Sequence, residues 1–182
     1  MADLSARRTL QWIAVPAAGV EPLPPATRFV LRGAEAVCQA AAAVLAVEVP
    51  RQACRAASGG TRSCLWLGPD EWLVLAPAAD GAALGAALAS ALRELPHSLV
   101  DVSHRQVALA LAGPRAALLL GAGCPLDLDA RAFPVGMCTR TVLAKAEIVL
   151  WRQAAERFRL EVWRSFAPYL TQYLAEAARG IN

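Results

Sequence analysis

Val107, Leu109 and Leu111 alternate with Ala108, Ala110 and Ala112, and Gly113-Pro114 closes the run at once. Residues two apart on a strand share a face, so this pattern describes a strand with one face deeply buried. Proline suits the first helical turn, where an N–H would lack a partner anyway. The dipeptide that ends the strand therefore also starts a helix, over residues 114–120. Ala117, Leu118 and Leu120 are expected to face inward until Gly121 and Gly123 stop it. A short apolar run, Leu99-Val100-Asp101-Val102, precedes the strand and meets polar Ser103-His104-Arg105. Cys124-Pro125-Leu126-Asp127 leads out into a loop.

On either side the same kind of unit is built. Residues 1–27 carry Pro16, Pro22, Pro24 and Pro25 and no sustained period, which describes an extended arm. Leu10, Trp12 and Ile13 could anchor it, on its own domain or on a neighbour. A short strand is expected over 28–32, then a helix over 33–47 with Val37, Ala41, Val44 and Leu45 on one stripe. Residues 51–62, with Ser58-Gly59-Gly60, read as a loop. Strands at 64–67 and 72–76 form a hairpin through Gly68-Pro69-Asp70-Glu71. Asp80 can cap the next helix, where Leu84, Leu88, Leu92 and Leu95 share a stripe. After the central strand and helix come a loop with Pro125, Pro134 and Gly136, then strands at Cys138–Leu143, 147–151 and Arg157–Trp163. A closing helix over 166–178 aligns Phe166, Leu170, Tyr173, Leu174 and Ala177. A strand-helix-hairpin-helix unit thus occurs twice, at 28–95 and 106–179, with one extra strand in the second copy. Two such units predict an α+β fold of two ferredoxin-like halves forming one antiparallel-sheet domain over 28–182.

Composition limits the classes of function. The apolar fraction is 57%, which fits burial against partner subunits as well as an alanine-rich coding bias. Seventeen arginines and the single Lys145 are scattered from Arg7 to Arg179 without a stripe, a poor match to nucleic acid. Arginine is also the cation favoured at protein interfaces. Cys38, Cys54, Cys64, Cys124 and Cys138 form no CxxC pair, and no histidine stands at metal-ligand spacing. The first residues lack the basic-then-apolar pattern of a secretory signal, so a reduced, cytoplasmic protein is expected. Residues 107–126 are long enough to span a membrane. The Gly113-Pro114 break, Arg115 in mid-span and the strand-like alternation argue against that reading.

Several motifs, taken together and in order, carry a resemblance. They are Asp101-Val102-Ser103-His104, Leu111-Ala112-Gly113-Pro114, Gly123-Cys124-Pro125-Leu126-Asp127-Leu128, and Phe133-Pro134 with Gly136. Leu67-Gly68-Pro69-Asp70-Glu71-Trp72-Leu73 upstream and Arg164-Ser165-Phe166 downstream extend the set. Across residues 26–180 the chain resembles the gamma subunit family of heterotetrameric sarcosine oxidase, itself similar to the folate-binding half of glycine-cleavage T-proteins. The resemblance implies a non-catalytic subunit of a complex that oxidises sarcosine to glycine and hydrogen peroxide. The methyl carbon would leave as formaldehyde or pass to tetrahydrofolate. It further implies alpha, beta and delta subunits as partners, with FAD, FMN, NAD, tetrahydrofolate and zinc on those partners and none on this chain. That agrees with the absence of a GxGxxG or Walker pattern. Gly121-Ala122-Gly123 follows a helix instead of opening one, the wrong context for a pyrophosphate.

No residue of this chain is assigned a catalytic, cofactor-binding or metal role, although several invite one. Asp101, Ser103 and His104 hold the letters of a hydrolytic triad. Along a strand, however, Asp101 and Ser103 face one way and His104 the other, whereas a triad needs the histidine between the two. A strand end with local hydrogen bonds is the expectation. Asp127 falls near where T-protein-like folds carry a functional aspartate, but the glycine-rich hairpin those folds place downstream is missing. Loop capping before Arg131 is expected instead. Asp70 and Glu71 should diverge into solvent, and His97 should occupy a loop. Trp66, Trp72, Trp151 and Trp163 are assigned first to core packing and second to a subunit interface. Two other classes stay open, a stand-alone folate-binding protein of the T-protein type and a small hydrolase built on Ser103 and His104.

Overall fold

The computed structural model describes residues 19–181. Ten strands and four helices follow one another as β1 Val20–Pro22, β2 Ala26–Gly33, α1 Glu35–Leu45, β3 Ala56–Gly59, β4 Arg62–Gly68, β5 Glu71–Pro77, α2 Gly81–Leu92 and β6 His97–Asp101. The second half continues with β7 Gln106–Ala112, α3 Ala116–Gly121, β8 Cys138–Leu143, β9 Ala146–Ala154, β10 Arg157–Trp163 and α4 Ala167–Arg179. The strands form two five-stranded antiparallel sheets, ordered β3-β4-β5-β2-β6 and β8-β9-β10-β7-β1. The two orders are equivalent position by position, so the fold is α+β with a repeated half.

Each half lends its leading strand to the other. β1 runs into β2 but pairs with β7, Val20 opposite Leu111. β6 runs into β7 but pairs with β2, Val100 opposite Val30. The chain enters β1 through Gly19, whose φ is +67°; a Cβ there would lie 1.9 Å from the Ala112 carbonyl oxygen, so only glycine fits.

Alternation along the strands sets the layers. Phe29 and Leu31 of β2 pack on Val37, Ala41, Leu84 and Leu88 of α1 and α2. Phe158, Leu160 and Val162 of β10 pack on Leu119, Leu120, Leu170 and Leu174 of α3 and α4. Fully burying a leucine such as Leu170 or Leu174 contributes about 1.5–3 kcal/mol. The opposite strand faces meet in a third core of Leu65, Leu73 and Leu75 against Val102, Cys138, Val149 and Trp151. The result is four layers, helix, sheet, sheet, helix. The two sheets are also stitched at an edge, where Cys138 N–H donates to the Cys54 carbonyl and Ala56 N–H to that of Gly136.

Several local expectations are corrected. Residues 20–22 and 26–27 of the expected arm are strand, while Leu10, Trp12 and Ile13 lie outside the described residues. The expected loop at 51–62 contains β3, so the strand that looked extra in the second half has a counterpart in the first. Its sequence, Ala-Ala-Ser-Gly, has no large apolar residue to show a period. The 97–101 stretch is an edge strand, and His97 opens it. Gly113, at φ +115°, donates its N–H to the Glu156 carbonyl, so Gly113-Pro114 forms a turn and α3 begins at Ala116. Leu118 consequently points outward, 60% exposed, and Leu119 is buried in its stead. Phe166 precedes α4 and is exposed. Asp80 stands at the N-cap of α2, but its carboxylate accepts from Arg62 Nη2 at 3.2 Å and caps no backbone N–H. Among the described residues no helix is long and apolar enough to cross a membrane; residues 107–126 are β7, α3 and a loop.

Candidate functional site

The seam between the sheets is where this fold concentrates charge. Even-numbered positions of β2 and odd-numbered positions of β10 face it, which brings Arg28 against Glu161. Arg28 Nε lies 2.5 Å from Glu161 Oε2, and their side chains are 2% and 1% exposed. Arg28 Nη1 also donates to the Ala26 carbonyl, and Arg159 Nη2 stands 2.7 Å from Glu161 Oε1. One carboxylate therefore serves two guanidinium groups. Nearer the surface, Arg140 of β8 grips Glu71 of β5 in a two-pronged pair. The Arg140 hydrogen bonds hold the Glu71 carboxyl below the usual carboxylate range, against an opposing effect of burial.

At one end the seam opens into a cleft of about 110 Å³. Val30, Leu67 and Leu73 line it from one sheet; Gln106, Glu147, Val149 and Trp163 line it from the other, with Arg105 at the turn before β7. Trp163 is 42% exposed, and the Arg105 guanidinium lies over its ring, 5.3 Å from the centroid, a cation–π distance. Gln106, paired with Trp163 across the strands, is only 6% exposed, and its Oε1 has no hydrogen-bond partner. Val100 and Val142 stand beside cleft residues on the same sheet faces, opposite Val30 and Glu147, and both are exposed.

The expected triad letters do not converge. Ser103 N–H donates to Asp101 Oδ1 at 2.8 Å, an Asx turn. Ser103 Oγ accepts the Arg28 N–H at 2.9 Å and so extends the β2–β6 pairing by one step. His104 is exposed in the same turn. Burial disfavours the Asp101 charge, but hydrogen bonds from Ser103 and the nearby His104 outweigh it and keep the carboxyl below its ordinary value. Asp127 Oδ1 accepts the Asp129 N–H at 2.9 Å; Asp129, not Asp127, holds Arg131 through its backbone and side chain. Asp127 borders a shallow apolar groove beside α3, with Leu118, Leu126 and Ile181. Of the carboxylate pair expected in solvent, Asp70 meets Arg32 on the surface, whereas Glu71 is drawn into the seam. Trp72 is buried with its Nε1–H on the Pro50 carbonyl at 2.7 Å, Trp151 is buried in the seam, and Trp66 is half-buried. Sequence reasoning missed Arg28, Glu161, Arg105 and Gln106. The one available signal was charge at alternate positions of an otherwise apolar strand, Arg159 and Glu161 between Phe158, Leu160 and Val162.

Comparison with known proteins decides the family. Residues 32–180 match the sarcosine oxidase gamma subunit family. This chain belongs to it. The sarcosine oxidase subunit gamma of Corynebacterium sp. strain P-1 is 40% identical over 113 residues, which are 62% of this chain and 55% of that protein. This chain thus aligns with little more than half the length of that relative. A chain of the heterotetrameric sarcosine oxidase of Corynebacterium sp. U-96, solved with pyrrole 2-carboxylate, superposes with a TM-score of 0.83 at 32% identity. The match covers 88% of this chain and 83% of that one. The glycine cleavage system aminomethyltransferase T of Bartonella henselae superposes with a TM-score of 0.65 at 16% identity, covering 88% of this chain and 48% of that one. That likeness shows the fold alone, and the gamma subunit family shares it.

Proposed function

We propose that this chain is an assembly subunit of a cytoplasmic, flavin-dependent sarcosine oxidase, held by alpha, beta and delta subunits and not itself the redox centre. The observation that carries this reading is the match over 88% of the chain to a subunit of a heterotetrameric sarcosine oxidase. In such a complex sarcosine is oxidised to glycine, dioxygen is reduced to hydrogen peroxide, and the methyl carbon leaves as formaldehyde or passes to tetrahydrofolate. Two-electron oxidation of a C–N bond needs an electron acceptor, which cofactors supply and side chains do not. FAD, FMN, NAD, tetrahydrofolate and zinc are assigned to the partner subunits. The shape of this chain supports the division of labour. The cleft between the sheets, about 110 Å³, is smaller than the roughly 300–1,000 Å³ of sites that hold cofactor-sized molecules, and the larger groove beside α3, about 570 Å³, is a shallow depression open to solvent. Glu161 and Glu71 of the seam are committed to arginines, and the Asp101–Ser103 pair is committed to a turn. Five free cysteines suit a reducing compartment.

The test is co-expression of the tagged chain with the alpha, beta and delta subunits. The chain is expected to co-purify with them, and the complex to release peroxide on addition of sarcosine. A monodisperse monomer that leaves all three subunits behind, or a yellow isolated chain carrying near-equimolar flavin, would overturn the proposal.

A further inference from the structure

We propose that the mouth of the seam, around Arg105, Gln106, Trp163 and Arg164, is the docking site for an acidic backbone segment of a partner subunit; this rests on the reading of the chain as an assembly subunit. The mouth carries unpaired positive charge. The other arginines of the seam already have acids: buried Arg28 and half-buried Arg159 share Glu161, and Arg140, nearer the surface, holds Glu71. Arg105 and Arg164 have no carboxylate partner among the described residues. Their backbones are tied together, the Arg164 N–H donating to the Arg105 carbonyl at 2.9 Å. The Arg164 Nε is shut away from solvent without an acceptor. Arg105 lines the cleft itself, and a guanidinium without an acid partner is the group that a carboxylate arriving from outside pairs with. Two carboxylates also line the cleft: Glu161, shared by Arg28 and Arg159, and Glu147, which favours the charged form of Arg140.

The mouth also holds an unsatisfied buried amide. Gln106 is more than nine-tenths buried, lines the cleft and leaves Oε1 without a donor. Buried amides of this kind are nearly always satisfied. A backbone N–H beside the incoming carboxylate supplies the missing bond. The rim is apolar and aromatic. Val100, Val142 and Trp163 stand exposed around the cleft, and Phe166 is exposed one turn beyond Trp163. An aromatic and arginine centre with an apolar rim is the composition of an interface core. The cleft itself has room for a side chain, so the segment lies across the mouth and sends one acidic group inward.

The experiment uses the co-expressed complex. Arg105→Glu should weaken retention of the partner subunits by about ten-fold or more, equivalent to about 1.4 kcal/mol. Arg105→Lys, which keeps the charge, should retain most of the binding. Leu118→Glu, on the groove beside α3, should leave it unchanged. Hydrogen exchange on the wild-type chain reads the same face without substitution. Residues 105–106 and 163–166 should gain protection on assembly. A complex that forms with wild-type affinity in Arg105→Glu and leaves these residues unprotected overturns the docking site while the subunit assignment stands. A wild-type chain that never assembles overturns both. Binding of acetate or glycine to the isolated wild-type chain, abolished by Arg105→Glu, with assembly indifferent to the substitution, makes this a small-carboxylate site and likewise overturns the docking proposal.

Discussion

Arg28 and Glu161, 133 residues apart in sequence, meet at 2.5 Å in the interior, one from each half of the repeat. Their pair is the buried ionic pin of a seam packed mostly by apolar side chains. Because Arg159 shares the carboxylate, removing its charge leaves two guanidinium groups uncompensated. Glu161→Gln keeps the shape and removes the charge, and should cost about 3–5 kcal/mol of stability. Replacing all three residues by apolar ones of similar volume should cost much less, because the desolvation penalty goes with the charges. Urea unfolding of the two variants checks this. A Glu161→Gln loss below about 1 kcal/mol would place the pair among surface-like contacts and refute the assignment.

The Glu71–Arg140 pair predicts a pH dependence with a definite sign. Its arginine hydrogen bonds lower the Glu71 pKa in the folded chain. Such a group adds stability above its unfolded value, about 4.3, and loses that contribution as pH falls through the lowered folded value. Wild type should therefore exceed Glu71→Gln by up to about 1 kcal/mol near neutrality, the range for a partly exposed pair. The gap should close on the acid side of about pH 4. Unfolding curves of both proteins from pH 7 downward provide the measurement. A gap that widens in acid contradicts the pairing.

What was legible in the sequence follows from how strongly each element announces its period. β7 and β10 carry large apolar residues at alternate positions, and α2 carries Leu84, Leu88 and Leu92 on one stripe, so class and repeat could be read directly. β3 could not, because Ala56-Ala57-Ser58-Gly59 holds its place through its neighbour β4 and not through burial of large side chains. β6 could not either: it is an edge strand, exposed at four of its five positions. The exchange of β1 and β6 between halves was invisible for a different reason, since pairing partners are a property of the folded whole. The same holds for the seam. Arg28 looks like a surface residue at a strand start until Glu161 is brought to it.

The cysteines divide by burial. Cys138 is pushed up to about 12 by desolvation, which outweighs its hydrogen bond to the Trp66 carbonyl. Cys64 and Cys38 are raised by the same cause. Since the thiolate is the reactive species, these thiols should resist alkylation in the native chain, and Cys124 should be shielded by its burial. Cys54, half-exposed at φ +58°, should be the residue modified first. Peptide mapping after brief iodoacetamide treatment at pH 8 reads the order. Rapid native labelling of Cys64 or Cys138 would mean that the seam or the first helical layer opens readily.

Asp127, His104 and Ser103 are the residues of this chain that look catalytic. Asp127 is engaged with the Asp129 N–H, His104 is exposed in a turn, and Ser103 is tied to Asp101 and to the Arg28 N–H. These contacts shape loops, and none holds a proton donor and acceptor in line. Asp127→Asn, His104→Ala and Ser103→Ala should each leave the turnover of the assembled oxidase within a few-fold of wild type. Ser103→Ala should also cost about 1 kcal/mol of stability, since the Arg28 N–H loses its acceptor. Loss of a residue that transfers protons in the reaction costs about a hundred-fold or more in rate. Steady-state peroxide production by each complex, with subunit content and flavin occupancy measured alongside, separates the two cases. A hundred-fold loss at full occupancy in any one variant would transfer that residue from the scaffold to the chemistry.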